Sequence, residues 1–359
     1  MFYTIDTIRR FLFADVSGSN IKDLSQFAGY HTVTARNCPL LKNVNPLRDC
    51  KNVNLTGCKG VKDVSALGNV HTLNLTYCTE VKDVSALKNV HTLNLTYCTG
   101  VKDICMLYRV QHLDITGCNS IKKLDWPKNP RKKTMDTFVC IGRFEPFLQI
   151  EGIGCAKNID MSYGSGEYID WDSLAKGSIL PYDSLVLVYT DIPHGTNVKI
   201  NAKYLDMSHT DINSNTFVVN VRKINMSGCH LINNDLTPFG GAEEIDLTGC
   251  SDVRNVEPLA NCSKVILNGC KNVTDVSELN EVKILDIEGC TGVLNDYRDP
   301  TVYYGEFYPL LTNNVSRNVD GTSKGYIWSN TYDPLTRIRF ISRRSVAIKN
   351  PDEVFCINP

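Results

Sequence analysis

Residues 61–80 read VKDVSALGNVHTLNLTYCTE, and residues 81–100 read VKDVSALKNVHTLNLTYCTG. Eighteen of the twenty positions are identical; the exceptions are Gly68 against Lys88 and Glu80 against Gly100. A tandem copy this close leaves few folds open. A single globular core needs different residues at successive places. A structure that grows by laying one unit against the last can use the same ones again.

The period runs well beyond the quoted pair. Upstream stand IKDLSQFAGYHTVTARNCPL at 21–40 and LKNVNPLRDCKNVNLTGCKG at 41–60, and downstream VKDICMLYRVQHLDITGCNS at 101–120. It returns at 192–211, 212–231, 232–252, 253–272 and 273–292. Within each unit a piece such as T-L-N-L-T alternates, with Leu73 and Leu75 on one face and Thr72, Asn74 and Thr76 on the other. That is the period of a strand. Asp83 and Ser85 suit the start of a short helical turn, because their side-chain oxygens accept backbone N–H groups. Twenty residues leave room for one strand and one turn of helix, and no unit can bury its apolar positions alone. Stacked units would set equivalent strands side by side in one parallel sheet, about 4.8 Å apart and on the order of 50–60 Å long over about eleven to thirteen turns.

The pattern L-x-L-x-x-C-x-x-V-x-D-V-x-x-L-x-x-V resembles the leucine-rich repeat family. Its D-V-S-x-L segment is similar to the internalin-type subclass, and Cys replaces the usual Asn, as in cysteine-containing repeats. The resemblance implies an α/β repeat solenoid, a horseshoe with one parallel β-sheet and short 3₁₀ or irregular convex segments. Five regions are expected: an N-terminal cap at 1–11, repeats at 12–128, irregular or degenerate repeats at 129–168, repeats at 169–292 and a C-terminal cap at 293–359. Ile159 and Met161 mark a strand in the irregular stretch, and SYGSGE at 162–167 reads as a turn. The tandem TGC and TYC units also resemble repeat proteins expanded in large cytoplasmic DNA viruses of protists, which implies host interaction or association with a virion.

Four columns carry the candidate chemistry. Cys38, Cys58, Cys78, Cys98 and Cys118 recur every twenty residues, followed later by Cys229, Cys250, Cys270 and Cys290. A row of this kind is not a tetrahedral cage, so the thiols are expected to be reduced, buried and free of metal. His31, His71 and His91 share a second position, with Lys51 and Gln111 among them. Lys22, Lys42, Lys62, Lys82, Lys102 and Lys122 form an uninterrupted basic rim, with Asp23, Asp63, Asp83 and Asp103 at the next position. The outward strand positions give Arg36, Asn54, Asn74, Asn94 and Asp114, then Asp206, Asp246 and Asp286. Rim and strand face are both expected to meet a partner. Asn and Thr columns also hold parallel strands in register, so part of the face is structural.

Charge is uneven along the chain. Residues 1–135 hold 19 Lys and Arg against 10 Asp and Glu, whereas residues 136–359 hold 19 against 29. An anionic partner at the basic half and head-to-tail self-association both follow from this split. No apolar run is long enough to span a membrane, and MFYTIDTIRRFLF lacks the marks of an export leader, which reads as a cytoplasmic chain. Phosphate loops, dinucleotide fingerprints, H-E-x-x-H and G-x-S-x-G are all missing from the sequence. The expectation is therefore a non-catalytic protein-interaction scaffold without a cofactor. Two alternatives stand beside it: a substrate-recruiting adaptor of a ubiquitin ligase, in which such repeats follow an F-box, and a self-assembling, virion-associated structural protein. About eleven residues precede the first strand here, too few for an F-box.

Overall fold

The computed structural model of the chain describes residues 11–121, 123–126, 135–142, 149–151, 156–164, 181–190, 192, 197–212, 216–231, 234–279, 281–293, 323–326 and 345–348. All of the expected N-terminal cap but Phe11, most of the C-terminal cap, and Lys122 lie outside the described residues. The chain divides into two compact units, Met1–Tyr204 and Leu205–Pro359.

In the first unit six strands of three residues come one per coil: β1 Phe13–Asp15, β2 Thr32–Thr34, β3 Asn52–Asn54, β4 Thr72–Asn74, β5 Thr92–Asn94 and β6 His112–Asp114. Then follow β7 Lys123–Asp125, β8 Met135–Val139, β9 Gln149–Glu151, β10 Ala156–Asp160 and β11 Tyr182–Val186. The main sheet takes the order β1-β2-β3-β4-β5-β6-β8-β10-β11, while β7 pairs with β9 apart from it. Every pairing in that order is parallel. Leu73 faces Leu93 one period on, and Leu93 faces Leu113. Longer coils then bring Leu113 opposite Phe138, Phe138 opposite Ile159 and Ile159 opposite Leu185. The segment read as irregular thus supplies two strands to the sheet, with Met161 buried just beyond the end of β10.

The strand β12 (Asn197–Asp206) runs across the division. In the second unit β13 (Asp211–Ile212) pairs with β15 (His230–Leu231). The strand β14 (Thr216–Asn225) leads into the parallel run β16 (Glu244–Asp246), β17 (Lys264–Ile266) and β18 (Ile284–Asp286). Residues 323–326 and 345–348 form an antiparallel pair, β19 and β20.

One coil explains the rest. Leu73, Leu75, Cys78, Val81, Val84, Leu87 and Val90 all point inward and are buried. After the strand the Cys78 N–H donates to the Leu75 carbonyl (2.8 Å) and the Val81 N–H to the Cys78 carbonyl (3.2 Å), which bends the chain round the core. Asp83 Oδ1 accepts the Ser85 N–H at 2.9 Å, opening the 3₁₀ turn Ser85–Asn89. The Val90 N–H closes that turn on Leu87 O, and the N–H groups of His91 and Thr92 both donate to His71 O, placing the next strand on the sheet. Helical turns in the described residues are all of this short 3₁₀ kind. The residue before each column cysteine is left-handed: Gly57, Tyr77, Tyr97 and Gly117 have φ of 73°, 60°, 56° and 71°.

Candidate interaction surface

The thiol column is part of the framework. Cys58, Cys78, Cys98 and Cys118 donate through Sγ to the carbonyls of Ala35, Leu55, Leu75 and Leu95 in the coil before, at 2.8–3.1 Å. Cys229, Cys250, Cys270 and Cys290 repeat this contact on Met207, Met226, Leu247 and Leu267. A thiol is a weak donor, but here each one joins two coils. Burial pushes the Cys78, Cys118, Cys229 and Cys250 thiols up to about 12. They stay protonated and inert at neutral pH. Among the described residues no group of His, Cys, Asp or Glu is arranged to hold a metal.

The strand-face residues are half committed to the fold. Asn54, Asn74, Asn94 and Asp114 each accept, through Oδ1, the N–H of the threonine two residues on. Asp206 and Asp246 do the same for Ser208 and Thr248. Cross-coil bonds tie the column further: Thr76 Oγ1 lies 2.9 Å from Asn94 Oδ1, and Asn225 Nδ2 donates to Asp206 Oδ2 at 3.0 Å. Asp286 is buried, and burial raises its carboxyl above the ordinary range. Arg36 stays exposed, its N–H on Ser17 Oγ. Fold and surface share this column, and apart from the buried Asp286 its Asn and Asp side chains stay partly exposed.

Lys22, Lys42, Lys62, Lys82 and Lys102 are all exposed, one per coil. The aspartates beside them brace the backbone and keep their own negative charge. Asp23, Asp63, Asp83 and Asp103 each turn Oδ1 onto the N–H two residues on, and those hydrogen bonds hold their carboxyls below the usual range. Within this row only Lys62 meets an acid among the described residues, Glu80 at 3.7 Å.

On the other side of the strands a mixed column changes character along the first unit. His71 stacks on His91 with ring centroids 4.4 Å apart, and His91 meets His112 at 5.3 Å. Burial, then His91 and Lys51, lower the His71 pKa. Parallel rings turn their lone pairs the same way, so the pair does not converge on a metal. Further along, Lys157 pairs with Asp136 (2.5 Å) and Lys203 with Asp183 (2.6 Å), where the coils have diverged.

Sequence reasoning passed over one set of residues. Tyr77 and Tyr97 stack at 4.8 Å with planes 5° apart, and Tyr163 and Tyr189 stack at 5.1 Å. All four are left-handed, with φ between 52° and 60°, and all are 43–52% exposed. For Tyr77 and Tyr97 the signal was present in the alternation of TGC with TYC: a glycine there marks positive φ, so a tyrosine there is an outlier.

No family model matches this chain, and no curated protein matches it. Among solved structures it is similar to an internalin, InlF, of Listeria monocytogenes at 14% identity, covering 78% of this chain and 87% of that one, with a TM-score of 0.44. InlJ of the same species, whose functional domain includes a cysteine ladder, is 14% identical over 77% of this chain and 58% of that one, TM-score 0.37. A leucine-rich-repeat protein of Leptospira interrogans is 13% identical over 81% and 94%, TM-score 0.37. These scores are low, and the fold assignment stands on the coil geometry alone. A twenty-residue coil with one parallel strand, an inward L-x-L pair and a buried thiol bonded to the coil before it is a leucine-rich repeat of the cysteine-containing kind.

Proposed function

We propose that the protein is a non-catalytic scaffold that binds a macromolecular partner through the lateral surface of its coils. The observation that supports this most is the lysine column: exposed cations repeated at one position of successive coils, each of Lys22, Lys62, Lys82 and Lys102 flanked by an aspartate that braces the following turn. A polar strand face runs beside it, and the interior is filled by aliphatic side chains and protonated thiols. This arrangement offers surface rather than an enclosed reaction centre. The free buried thiols favour a reducing, cytoplasm-like compartment. Affinity purification from the native host, repeated with K62E/K82E/K102E, tests the reading. A captured partner should be lost from the charge-reversed variant. Turnover of a small substrate, with no partner recovered, would overturn it.

A second reading draws on the charge split between residues 1–135 and 136–359. Oppositely charged stretches of one chain support head-to-tail association of copies. Sedimentation at low and high salt decides it, and a monomer at low salt and high concentration rejects it.

A further inference from the structure

Three histidines of the first unit stand close enough to feel one another's charge. By the sequence period the counterpart of His91 is Gln111, but the ring beside His91 is that of His112, one residue on and in β6. His71, His91 and His112 therefore run across three successive coils with ring centroids 4.4 and 5.3 Å apart, and the first two rings lie within 12° of parallel. His71 is exposed and the other two are half-buried, so solvent protons reach all three.

Each ring turns Nδ1 to a threonine hydroxyl: His71 to Thr72 at 3.2 Å, His91 to Thr92 at 3.1 Å and His112 to Thr137 at 3.3 Å. A hydroxyl donates as well as accepts, so these contacts survive in either charge state and favour neither. What discriminates is the charge along the row. Lys51 stands one coil before His71 and acts on it. Asp136, on β8 beyond His112, acts on both His112 and His91, but its carboxylate is also held by Lys157 at 2.5 Å. A cation thus bounds one end of the row, and the anion at the other end is shared with a second cation. Burial, then His91 and Lys51, hold the His71 pKa below its ordinary value. Two imidazolium rings 4.4 Å apart repel even in water, whereas neutral rings stack freely.

We propose that His71, His91 and His112 form a pH-sensitive switch on the strand face, stacked and neutral at about pH 7.5, charged and parted at about pH 5. The strand residues beside the first two rings are Thr72, Asn74, Thr92 and Asn94, none of them ionisable. Acidification therefore turns a neutral strip cationic. The sign for stability follows from His71: the unfolded chain takes up this proton more readily than the folded one, so stability falls as pH drops below about 6.5. The switch stands on the rings themselves, and it rests on the scaffold reading only for its consequence, a strand face whose partner is gated by pH.

NMR of the full chain with labelled histidine, and no partner present, tests the switch. The ring-to-ring NOE between His71 and His91 should be strong at about pH 7.5 and lost at about pH 5. In H91Q the proton affinity of His71 should rise about three-fold, and in the wild-type chain it should rise with salt. Glutamine occupies the equivalent place in the next coil as Gln111, so H91Q keeps the fold, which the amide spectrum verifies. K51Q reads the same coupling from the other side of His71 and should move it in the same direction. His230, which meets Asp252 in the second unit, should titrate alike in all three proteins. An NOE that persists at about pH 5 with both rings charged, or a His71 titration unmoved in both H91Q and K51Q, would overturn the proposal. Either result would leave the scaffold reading standing, since that reading falls only to the capture experiment above.

Discussion

Coils 61–120 and coils 135–190 of the first unit solve one packing problem with different residues. In the former each coil repeats after twenty residues, carries a cysteine after its left-handed residue, and sets a 3₁₀ turn opposite a three-residue strand. In the latter the main-sheet strands have five residues, the spacing is uneven, and Gly164 and Thr190 stand where the thiol would be. Yet Thr190 Oγ1 donates to Met161 O at 3.3 Å, the bond that Cys98 makes to Leu75 O. Thr190 is as buried as the cysteines. At Thr190, as in the regular coils, the position holds a small buried side chain with one donor, whereas Gly164 has none. Sulfur supplies that donor in the regular coils, oxygen in a diverged one.

Sulfur differs from oxygen in being titratable, and this gives the largest expected effect. Folded Cys78 and Cys118 are held up at about 12, whereas an unfolded thiol ionises near 8.5. Their contribution is fully present below the unfolded value. As pH rises from there toward 12 the unfolded chain sheds protons that the folded one keeps, so stability falls by about 1.4 kcal/mol per pH unit for each thiol. Melting followed at about pH 8 and 10 should show a steep loss, and limited proteolysis should cut residues 38–118 before 156–190. Simultaneous cutting of both regions would break the comparison.

Next in size is the hydrophobic column that both regions share. Leu93 and Ile159 are each 1% exposed. Leu93→Ala and Ile159→Ala should each cost about 2–5 kcal/mol in urea titrations, since each leaves a cavity between stacked coils. A cost below about 1 kcal/mol at Ile159 alone would mean that the diverged coils pack too loosely to count as the same structure.

The donor itself is worth less. Cys98→Val keeps the volume but loses the bond to Leu75 O, and about 1 kcal/mol should go with it. Cys98→Thr should recover at least half of that, as the Thr190 contact suggests. Equal losses for Val and Thr would show that the column matters by size alone.

These differences also mark how far the sequence could be read. Leu73, Leu93 and Leu113 announce their register, because a strict period places equivalent residues opposite one another. The strands Met135–Val139 and Ala156–Asp160 do not, because register there is set by which apolar residues meet across coils of unequal length. Phe138 facing Ile159 is a packing outcome with no spacing rule behind it. Among the surface residues the lysine column was plain, and so was the turn role of Asp83, which accepts the Ser85 N–H. Asp63 repeats that contact on Ser65 one period earlier. Likewise the inward cysteines were legible as a column, but the carbonyl each one reaches belongs to another coil.

The smallest expected effect concerns the residue just before each thiol, where the two regions agree. Tyr77 and Tyr163 both hold a left-handed backbone and both stack on the tyrosine of the following coil. Tyr77→Gly removes a left-handed penalty of about 1–2 kcal/mol and also a ring pair worth about 0.5–1.5 kcal/mol. Glycine gives some of the gain back by loosening the unfolded chain, which costs about 0.5–1 kcal/mol. The sum lies within about 1 kcal/mol of zero, and Tyr163→Gly should give the same result, because both rings have one stacked face and similar exposure. Thermal melts of the two variants test this directly. If Tyr77→Gly alone destabilised the fold by several kcal/mol, its ring would be serving the coil in a way that Tyr163 does not, and the two regions would differ here after all. Near-neutral stability in both would mean that the stacking of each ring offsets the strain of its left-handed backbone, in the regular coils and the diverged ones alike.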